Sequence, residues 1–253
     1  MTISDRDVMG GLAKGLSVIE TFAAERPRQS ISNVAAASGL DRATARRCLL
    51  TLWNLGYAEY DGKYFTLTPR VLRLGTACLA TMPLPQLVQP HLDELSEEIG
   101  ESSSVSILDG GEIVYVARAA QRKVMSISLM PGSRLPAYCT SMGRVLLAAL
   151  PESEARTRLT SKALSKRTDY TLTDTDAIMI ELAQIRKNGW AAIDQEVEIG
   201  LRSIAVPLTT SRAKVVAALN VGIPVRGVNF YEQVKNYLPA LQVTAKRIQE
   251  ILR

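Results

Sequence analysis

Two adjacent arginines, Arg46 and Arg47, carry the clearest chemistry in the N-terminal part of the sequence. A guanidinium group donates a fork of hydrogen bonds to a guanine edge, or it neutralises a phosphate. Helical spacing after Asp41 places both arginines opposite an apolar stripe that includes Ala45 and Leu49. We therefore predict that this basic face contacts DNA, and the alternative is an ordinary solvated basic face.

A second set of polar residues lies near the middle of the chain, around the loop that precedes Ser141. Ser141 and Met142 are predicted to begin a helix, where free backbone N–H groups and the helix dipole favour an anion such as a carboxylate. Arg134 and Tyr138 flank this loop, and they either clamp a carboxylate and stack on a ring or are simply exposed. This part of the chain is thus predicted to bind a small organic acid.

The arginine pair must be positioned by local structure, and the sequence predicts a helix-turn-helix around it. A first helix is predicted over residues 11–24. Ser32 is the predicted N-cap of a short alanine-rich helix that ends near Ser38, and Gly39 supplies the backbone freedom for a sharp turn. Asp41 then caps the helix that carries the two arginines.

A hairpin is predicted immediately after this helix. Residues 57–60 and 63–67 are rich in aromatic and β-forming side chains, and an Asp-Gly pair between them is a strong signal for a two-residue turn. Helix, turn, helix and hairpin in this order are typical of a winged helix-turn-helix, whose second helix enters the major groove. We assign residues 1–68 to this DNA-binding domain, with Lys63 at the tip of the wing.

The rest of the chain is predicted to form a linker helix over residues 69–84 and a mixed domain over residues 85–253. Hairpin strands beside amphipathic helices favour an antiparallel α+β sensor domain over a doubly wound sheet. The predicted strands are 103–108, 113–117, 124–129, 191–197, 203–207 and 215–221, and the predicted helices are 86–100, 141–150, 152–160, 174–188 and 231–252. Asp194 and Glu196 alternate within one predicted strand, so both are expected to point to the same face.

Composition limits the classes of function. The chain has 253 residues, a formal net charge of +5 and a pI near 9.2, which together favour a polyanionic partner. Its apolar runs are too short to span a bilayer and its N-terminus lacks the apolar core of a secretory signal, so we expect a cytoplasmic protein with no membrane partner. Cys48, Cys78 and Cys139 lie too far apart to indicate a disulfide framework or a zinc site.

His91 is the single histidine of the chain, and it lies outside the predicted acid-binding loop. This excludes a conventional nucleophile–histidine triad at the loop and any histidine-rich metal site, so no cofactor or metal is expected. Two other classes of function stay open: an enzyme that uses Cys139 or Asp194 on a bound acid, and an interaction module whose winged helix binds protein. An enzyme is disfavoured because the loop lacks a histidine, and a structural role for Cys139 is a simpler interpretation than a redox thiol.

Three motifs in this order resemble the IclR family of bacterial transcription regulators. They are AAASGLDRATARRCLLTLWNLGYAEYDGKYFTLTPRVLRLG, PGSRLPAYCTSMGRVLLAALP and NGWAAIDQEVEIGLRSIAVPL. The resemblance runs essentially from end to end, and it implies a winged helix, a linker helix and a GAF-like effector domain, assembled as a homodimer or a dimer of dimers. The sequence is most similar to the branch that controls protocatechuate, 4-hydroxybenzoate and β-ketoadipate catabolism. This implies double-stranded operator DNA as a partner and an aromatic or dicarboxylic acid as effector.

The resemblance also implies site residues. Thr44 and Arg47 match family positions that face DNA, whereas Ala43 stands where a serine is common, so one phosphate contact is expected to be absent. The predicted DNA-contact residues are Arg42, Ala43, Thr44, Arg46, Arg47 and Lys63. The family's ligand contacts correspond to Leu135, Ser141, Met142, Asp194, Ser203 and Asn220, to which the loop adds Arg134 and Tyr138. A buried Asp194 beside an acidic effector has to be hydrogen-bonded or protonated.

Overall fold

Two units, Met1–Thr81 and Met82–Arg253, divide the chain in the computed structural model, which describes residues 4, 7–23, 26–75, 83–121 and 129–252. Each unit has its own hydrophobic core. Helices dominate the first unit and an antiparallel sheet with flanking helices forms the second, which confirms the predicted α+β class. Within the described ranges, no helix is long and apolar enough to cross a membrane.

The first unit combines short helices with a small antiparallel sheet. Its elements are α1 (Gly10–Glu20), β1 (Arg28–Gln29), α2 (Ile31–Ser38), α3 (Arg42–Asn54), β2 (Ala58–Tyr60) and β3 (Phe65–Leu67). The strands lie in the order β1-β3-β2, so the predicted hairpin gains an additional strand. β1 was not predicted, because a strand of two residues is too short to show an alternating pattern.

Capping residues define the two helices of the helix-turn-helix. Ser30, rather than the predicted Ser32, is the N-cap of α2, and its hydroxyl accepts a hydrogen bond from the N–H group three residues later at 3.3 Å. Gly39 ends α2 with a φ of +68°, a conformation that favours glycine. Asp41 caps α3 as predicted, since its carboxylate accepts from the N–H group three residues later at 2.8 Å.

The core of the first unit forms between α1, α2, α3 and β3. Val18, Val34, Leu49 and Phe65 come from these four elements and have no exposed surface. Leu55 was predicted to extend the buried face of α3, but it is half-exposed because the helix ends one residue earlier. The buried face of α3 is therefore shorter than its apolar sequence pattern suggests.

The segment after the wing differs from the predicted linker helix. Pro69–Val71 forms a 3₁₀ turn and residues 72–75 are α-helical, while residues 76–82 of the prediction lie outside the described residues. The next helix, α4 (Pro83–Ile99), begins three residues before the predicted start at 86. Proline fits the first helical turn, where its absent N–H would have no partner in the helix. The prolines at this point therefore lie in the first turn of a helix.

The second unit is built on one antiparallel sheet. Its strands are β4 (Ser102–Asp109), β5 (Glu112–Ala119), β6 (Arg134–Pro136), β7 (Ala191–Asp194), β8 (Leu201–Thr209) and β9 (Val215–Pro224). They lie in the order β6-β5-β4-β9-β8-β7, and every neighbouring pair is antiparallel. The remaining helices are α5 (Ser141–Ala148), α6 (Glu152–Thr160), α7 (Thr175–Asn188) and α8 (Phe230–Ile251).

Side chains alternate between the two faces of this sheet. Along β9, Leu219 and Val221 belong to the core that α4 and α8 cover. Ala218 belongs to the other core, together with residues of α5 and α7, and Asn220 points to that same face. The face toward α4 and α8 is thus mainly apolar, with Arg202 and Asp194 at one end, whereas the face toward α5 carries a row of polar side chains.

Local details of the second unit depart from the prediction. β7 ends at Asp194 instead of continuing to residue 197, because Gln195 adopts a φ of +59° and begins a turn. The short strand β6 and the following 3₁₀ turn Ala137–Cys139 occupy a stretch that was predicted as a loop. The predicted strand 124–129 lies, apart from its last residue, outside the described residues.

Gly143 in α5 lies so close to the preceding turn that no side chain fits. A Cβ at this position would lie 2.2 Å from the carbonyl oxygen of Ala137 and 2.3 Å from its Cα, and both atoms are backbone. We expect Gly143→Ala to lower the free energy of unfolding of the second unit by about 3 kcal/mol, because the backbone must move to relieve the overlap. A urea titration followed by circular dichroism measures the change.

Gly111→Ala is the matched control in the same unit. A Cβ at Gly111 meets the carbonyl oxygen of Arg158 at 3.9 Å, which is an ordinary contact. This variant is expected to unfold within roughly 1 kcal/mol of the unmodified protein. Equal unfolding free energies for the two variants would contradict the tight packing of α5 on the turn before it.

Candidate functional site

The exposed face of α3 carries the basic residues that the sequence singles out. Arg42, Ala43, Arg46 and Arg47 are all exposed. Thr44 is buried, and its hydroxyl accepts a hydrogen bond from Nη2 of Arg47 at 3.2 Å. The face therefore presents guanidinium groups to solvent, while little of Thr44 is accessible, in contrast to its predicted place among the DNA-facing residues.

The wing loop is longer than predicted. Tyr60 pairs with Phe65 across β2 and β3, so residues 61–64 form the loop in place of a two-residue turn. Lys63 is exposed within this loop. The wing therefore presents its lysine on a wider loop than a tight Asp-Gly turn would provide.

A carboxylate holds the wing loop in place. Asp61 accepts hydrogen bonds from the backbone N–H groups of Lys63 at 2.9 Å and Tyr64 at 2.8 Å. It also accepts from Nε of Arg28 in β1 at 3.1 Å. Hydrogen bonding from Arg28, followed by the two backbone groups, lowers the pKa of Asp61 to about 2. Asp61 is consequently charged at neutral pH and ties the wing to β1.

A small cavity of about 30 Å³ lies in the second unit between the sheet and the start of α5. Its walls come from β4, β5, β8 and β9, from the turn before α5, and from the turn after β7. Leu135, Ser141, Met142, Ser203 and Asn220, which were all predicted from the family motifs, line it together. We call this space the sheet cavity.

A row of small hydroxyl side chains runs along β4 on the cavity face. Ser102 lines the sheet cavity, and Ser104 and Ser106 follow at the two-residue spacing that places them on the same face. Ser104 pairs directly with Asn220 of β9, and the hydroxyl of Ser106 lies 3.1 Å from Sδ of Met142. β4 thus presents polar side chains to this face of the sheet, and Ser104 and Ser106 contact two of the residues that line the cavity.

Arg118 of β5 is the charged group of the sheet cavity. Its side chain is half-buried, and Nη1 donates a hydrogen bond to the Ser104 hydroxyl at 3.0 Å. Burial lowers the pKa of this guanidinium, and the same burial raises the pKa of neighbouring Tyr115 to about 12. Across the described ranges, no carboxylate forms an ion pair with Arg118. The cavity therefore holds a cation without an anionic partner.

Two buried polar atoms of the sheet cavity have no hydrogen-bond partner within the described part of the chain. They are Oγ of Ser141, in the first turn of α5, and Oδ1 of Asn220. An unsatisfied buried polar atom costs roughly 1–3 kcal/mol, so native proteins usually pair such atoms with a ligand or water. Both atoms lie among the lining residues of the cavity and are available to a bound molecule.

Asp194 does not reach the sheet cavity, in contrast to the prediction. Its carboxylate accepts a hydrogen bond from Nε of Arg202 at 2.9 Å. Asp194 pairs with Arg202 in the sheet, while the next residue on β8, Ser203, lines the cavity. Because neighbouring residues of a strand face opposite sides, Asp194 and Arg202 lie on the face covered by α8. The predicted conflict between Asp194 and an acidic effector therefore does not arise.

Glu196 also departs from its predicted position. The turn that begins at Gln195 rotates it away from the face of Asp194, and Glu196 Oε2 instead accepts a hydrogen bond from Nη2 of Arg144 at 2.7 Å. The two acidic residues therefore serve different ion pairs. The prediction that Asp194 and Glu196 share a face assumed that the strand continues to residue 197.

Arg134 and Tyr138 line a different cavity, of about 490 Å³, beside α6. Arg134 is held by Asp109 at 2.7 Å and by Glu112 at 2.8 Å, so its charge is already neutralised. The hydroxyl of Tyr138 donates to the carbonyl oxygen of Ser165. The structure thus separates these two residues from the other predicted effector contacts.

Cys139 is buried, and burial raises the pKa of its thiol to about 11. The thiolate is the reactive form of cysteine, so this thiol is a poor nucleophile at neutral pH. Its position in the 3₁₀ turn before α5 agrees with a structural role.

Sequence reasoning missed Tyr115, Arg118 and the serines of β4. A signal was present: an arginine interrupts the apolar strand EIVYVARA, and SSSVSILD has serines at every second position from 102 to 106. Polar residues at two-residue spacing in an otherwise buried strand indicate a polar site on one face. The family motifs did not include these strands, so the predicted effector site was limited to the loop and the later strands.

Comparison with known proteins identifies both units. Residues 11–62 match the IclR helix-turn-helix domain, and residues 76–250 match the C-terminal domain of bacterial IclR transcriptional regulators. The chain is 42% identical over 243 residues to the Pca regulon regulatory protein of Pseudomonas putida, which covers 96% of this chain and 84% of that protein.

Two further relatives are informative. The chain is 34% identical over 255 residues to the p-hydroxybenzoate hydroxylase transcriptional activator of Acinetobacter baylyi, covering 99% of this chain and 94% of that protein. It also resembles the crystal structure of an IclR homologue from Microbacterium hydrocarbonoxydans complexed with 4-hydroxybenzoate, with a TM-score of 0.76 and 27% identity over 96% of this chain and 99% of that chain.

Proposed function

This chain belongs to the IclR family of bacterial transcriptional regulators, and we propose which of its residues sense the effector and which contact DNA. It is a ligand-responsive, DNA-binding regulator of the type that responds to aromatic acids, and it is not an enzyme. Family membership provides this coarse function. The identities of the effector and of the contact residues are inferred from the geometry of the two units.

The effector we propose is an aromatic acid whose carboxylate binds Arg118 in the sheet cavity. The observation that supports this most directly is the half-buried guanidinium without a carboxylate partner in the described chain. Removing a cation from water is costly unless an anion pairs with it, so a bound carboxylate is strongly favoured at this position. Guanidinium also matches the planar, two-oxygen geometry of a carboxylate.

The opposite end of the cavity suits a phenolic hydroxyl. Arg118, Ser104 and Asn220 lie side by side on β5, β4 and β9. Two strand spacings, roughly 9–10 Å, separate the backbones of Arg118 and Asn220, and the cavity of about 30 Å³ must widen for a ring to enter between their side chains. The unpaired Oδ1 of Asn220 is an acceptor, so it requires a donor such as a phenol O–H. A hydroxybenzoate supplies both groups at opposite ends of one ring.

The relatives support the same chemical class. One is named for the Pca regulon, one is named as the activator of p-hydroxybenzoate hydroxylase, and one was solved with 4-hydroxybenzoate bound. Protocatechuate and 4-hydroxybenzoate are therefore the effectors to test first. β-Ketoadipate is the informative contrast, because it carries carboxylates but neither a ring nor a phenol.

Replacing Arg118 by Gln tests this assignment. We expect calorimetry with 4-hydroxybenzoate to show a dissociation constant raised roughly 10- to 100-fold, because the variant loses a charge-assisted hydrogen bond to the carboxylate. Affinity for operator DNA in the absence of acid should be unchanged. If the operator affinity of the unmodified protein responds to the acid, that response should be lost in parallel.

Arg134→Gln is the matched control, since Arg134 lines the other cavity and is already paired with two carboxylates. It should bind 4-hydroxybenzoate like the unmodified protein. Loss of binding in Arg134→Gln but not in Arg118→Gln would move the effector to the cavity beside α6. Binding of β-ketoadipate alone would refute the aromatic class.

For DNA recognition we propose that α3 enters the major groove and the wing contacts the adjacent backbone. Arg42, Arg46 and Arg47 are exposed on α3, and Lys63 is exposed on the wing. The hydrogen bond from Arg47 to the Thr44 hydroxyl restrains the Arg47 side chain before DNA binds. A restrained guanidinium loses less conformational entropy on binding, which favours Arg47 as the residue that reads a base.

Arg47→Ala should therefore weaken operator binding by about 1–3 kcal/mol and relax sequence preference at one position. Fluorescence titration against the upstream intergenic DNA, with each base pair of the site varied, measures both effects. Arg212→Ala, an exposed arginine of the second unit, is the control and should leave binding unchanged. A uniform loss over all sequences with a shallower salt dependence would make Arg47 a phosphate contact.

For assembly we propose a homodimer formed through α1. Val8, Met9, Leu12 and Leu16 recur at helical spacing and are exposed, Met9 by 74% and Leu12 by 60%. A stripe of large apolar side chains left in water is unusual for a monomer and typical of an interaction surface. A second copy of the same helix is the partner that a self-complementary apolar stripe fits.

The double substitution Leu12→Glu/Leu16→Glu should convert the dimer to monomer, because it places like charges in the middle of the stripe. Sedimentation at micromolar concentration should show a halved mass. Ile180→Glu, at an exposed isoleucine on α7, is the control and should retain the dimer mass. An unchanged mass for the double variant would place the interface elsewhere.

A further inference from the structure

Arg144 of α5 is a charged residue enclosed in the interior of the second unit. Its side chain is 1% exposed. Nε donates a hydrogen bond to the carbonyl oxygen of Tyr138 at 2.8 Å, Nη2 donates to Oε2 of Glu196 at 2.7 Å, and Nη1 donates to Glu181 of α7. We call Arg144, Glu181 and Glu196 the interior ion cluster.

The partners of Arg144 differ in burial and in position. Glu196 is buried, and burial raises the pKa of its carboxyl group against the opposing effect of Arg144. Its Oε2 also accepts from the backbone N–H of Leu172 at 2.9 Å. The side chain of Glu181 is 46% exposed and lines neither cavity described above. Glu196 therefore also binds the backbone at Leu172, whereas Glu181 offsets the charge of Arg144 from a half-exposed position.

The ion pair between Arg144 and Glu196 joins two walls of the sheet cavity. Arg144 lies one helical turn after Ser141, whose unpaired hydroxyl faces the cavity. Glu196 lies in the turn between β7 and β8, and the adjacent Val197 lines the cavity, as does Leu201 at the start of β8. A change in the length or geometry of this ion pair moves one wall relative to the other.

We propose that Arg144 and Glu196 are positioning residues that fix the separation of these two walls and thereby set the affinity for the effector. The inference rests on the proposed function, because it concerns the same cavity. Neither residue needs to touch the acid. A buried, hydrogen-bonded ion pair suits this role because it is directional, whereas apolar packing tolerates sliding.

The two glutamates provide the test. Both contact Arg144, but only Glu196 lies in the turn that forms a wall of the sheet cavity. Glu196→Gln should raise the dissociation constant for 4-hydroxybenzoate in calorimetry roughly 3- to 30-fold. Glu181→Gln should change it by less than about twofold, because a half-exposed partner contributes little. Equal weakening by both variants, or an unchanged constant in Glu196→Gln, would overturn the proposal.

A purely structural role predicts a different result. A variant that is less stable but still almost fully folded in circular dichroism keeps its dissociation constant, because the measured constant rises only as the folded fraction falls. If Glu196→Gln alone does not fold, the double variant Arg144→Met/Glu196→Gln replaces it. Removing both charges of a buried pair is often tolerated, and Gln keeps an acceptor for the Leu172 N–H. The same weakening is expected.

Hydrogen–deuterium exchange of the unliganded protein separates this inference from the proposed function. Amides of residues 197–201 should exchange faster in Glu196→Gln than in Glu181→Gln or the unmodified protein. If the unmodified protein binds no aromatic acid, the proposed effector is wrong, yet the exchange still decides whether Glu196 holds the wall. Exchange in Glu196→Gln equal to that in Glu181→Gln would overturn the positioning role.

Discussion

The alternation of side chains along the antiparallel sheet is the constraint on which the second unit depends. Because successive residues face opposite sides, β8 and β9 give a mainly apolar surface to α4 and α8 and at the same time present Ser203 and Asn220 to the sheet cavity. The same rule places Asp194 beside Arg202 and outside the cavity. Alternate positions of the same strands thus contribute to the hydrophobic core and to the lining of the sheet cavity.

The arginines of the second unit show how charge is distributed around this sheet. Arg134, Arg144 and Arg202 each pair with at least one carboxylate, and in each case the pair ties together separate stretches of chain. Arg118 differs from these three because its described partner is a neutral hydroxyl. Buried cations in proteins are normally compensated, so this exception is the observation on which the proposed carboxylate site rests.

Patterns within single elements were predictable from the sequence. Helical spacing and the Asp41 cap predicted α3, and the helix predicted over residues 174–188 agrees with α7 to within one residue. Errors arose where the chain leaves a regular element. Gln195 adopts a left-handed conformation that is rare outside glycine, so no sequence signal ended β7 before Glu196. Membership of the sheet cavity depended on which strands become neighbours, and spacing along one strand does not contain that information.

The serine row of β4 has a consequence for how such a regulator acquires new inducers during evolution. Ser102, Ser104 and Ser106 project from a strand that is paired on both sides, so the backbone beneath them is held whatever side chain they carry. Exchanges among small residues here reshape the ligand space without entering the opposite apolar layer. Single mutations in this row can therefore change the preferred acid. Neither the fold nor DNA binding then requires a compensating mutation.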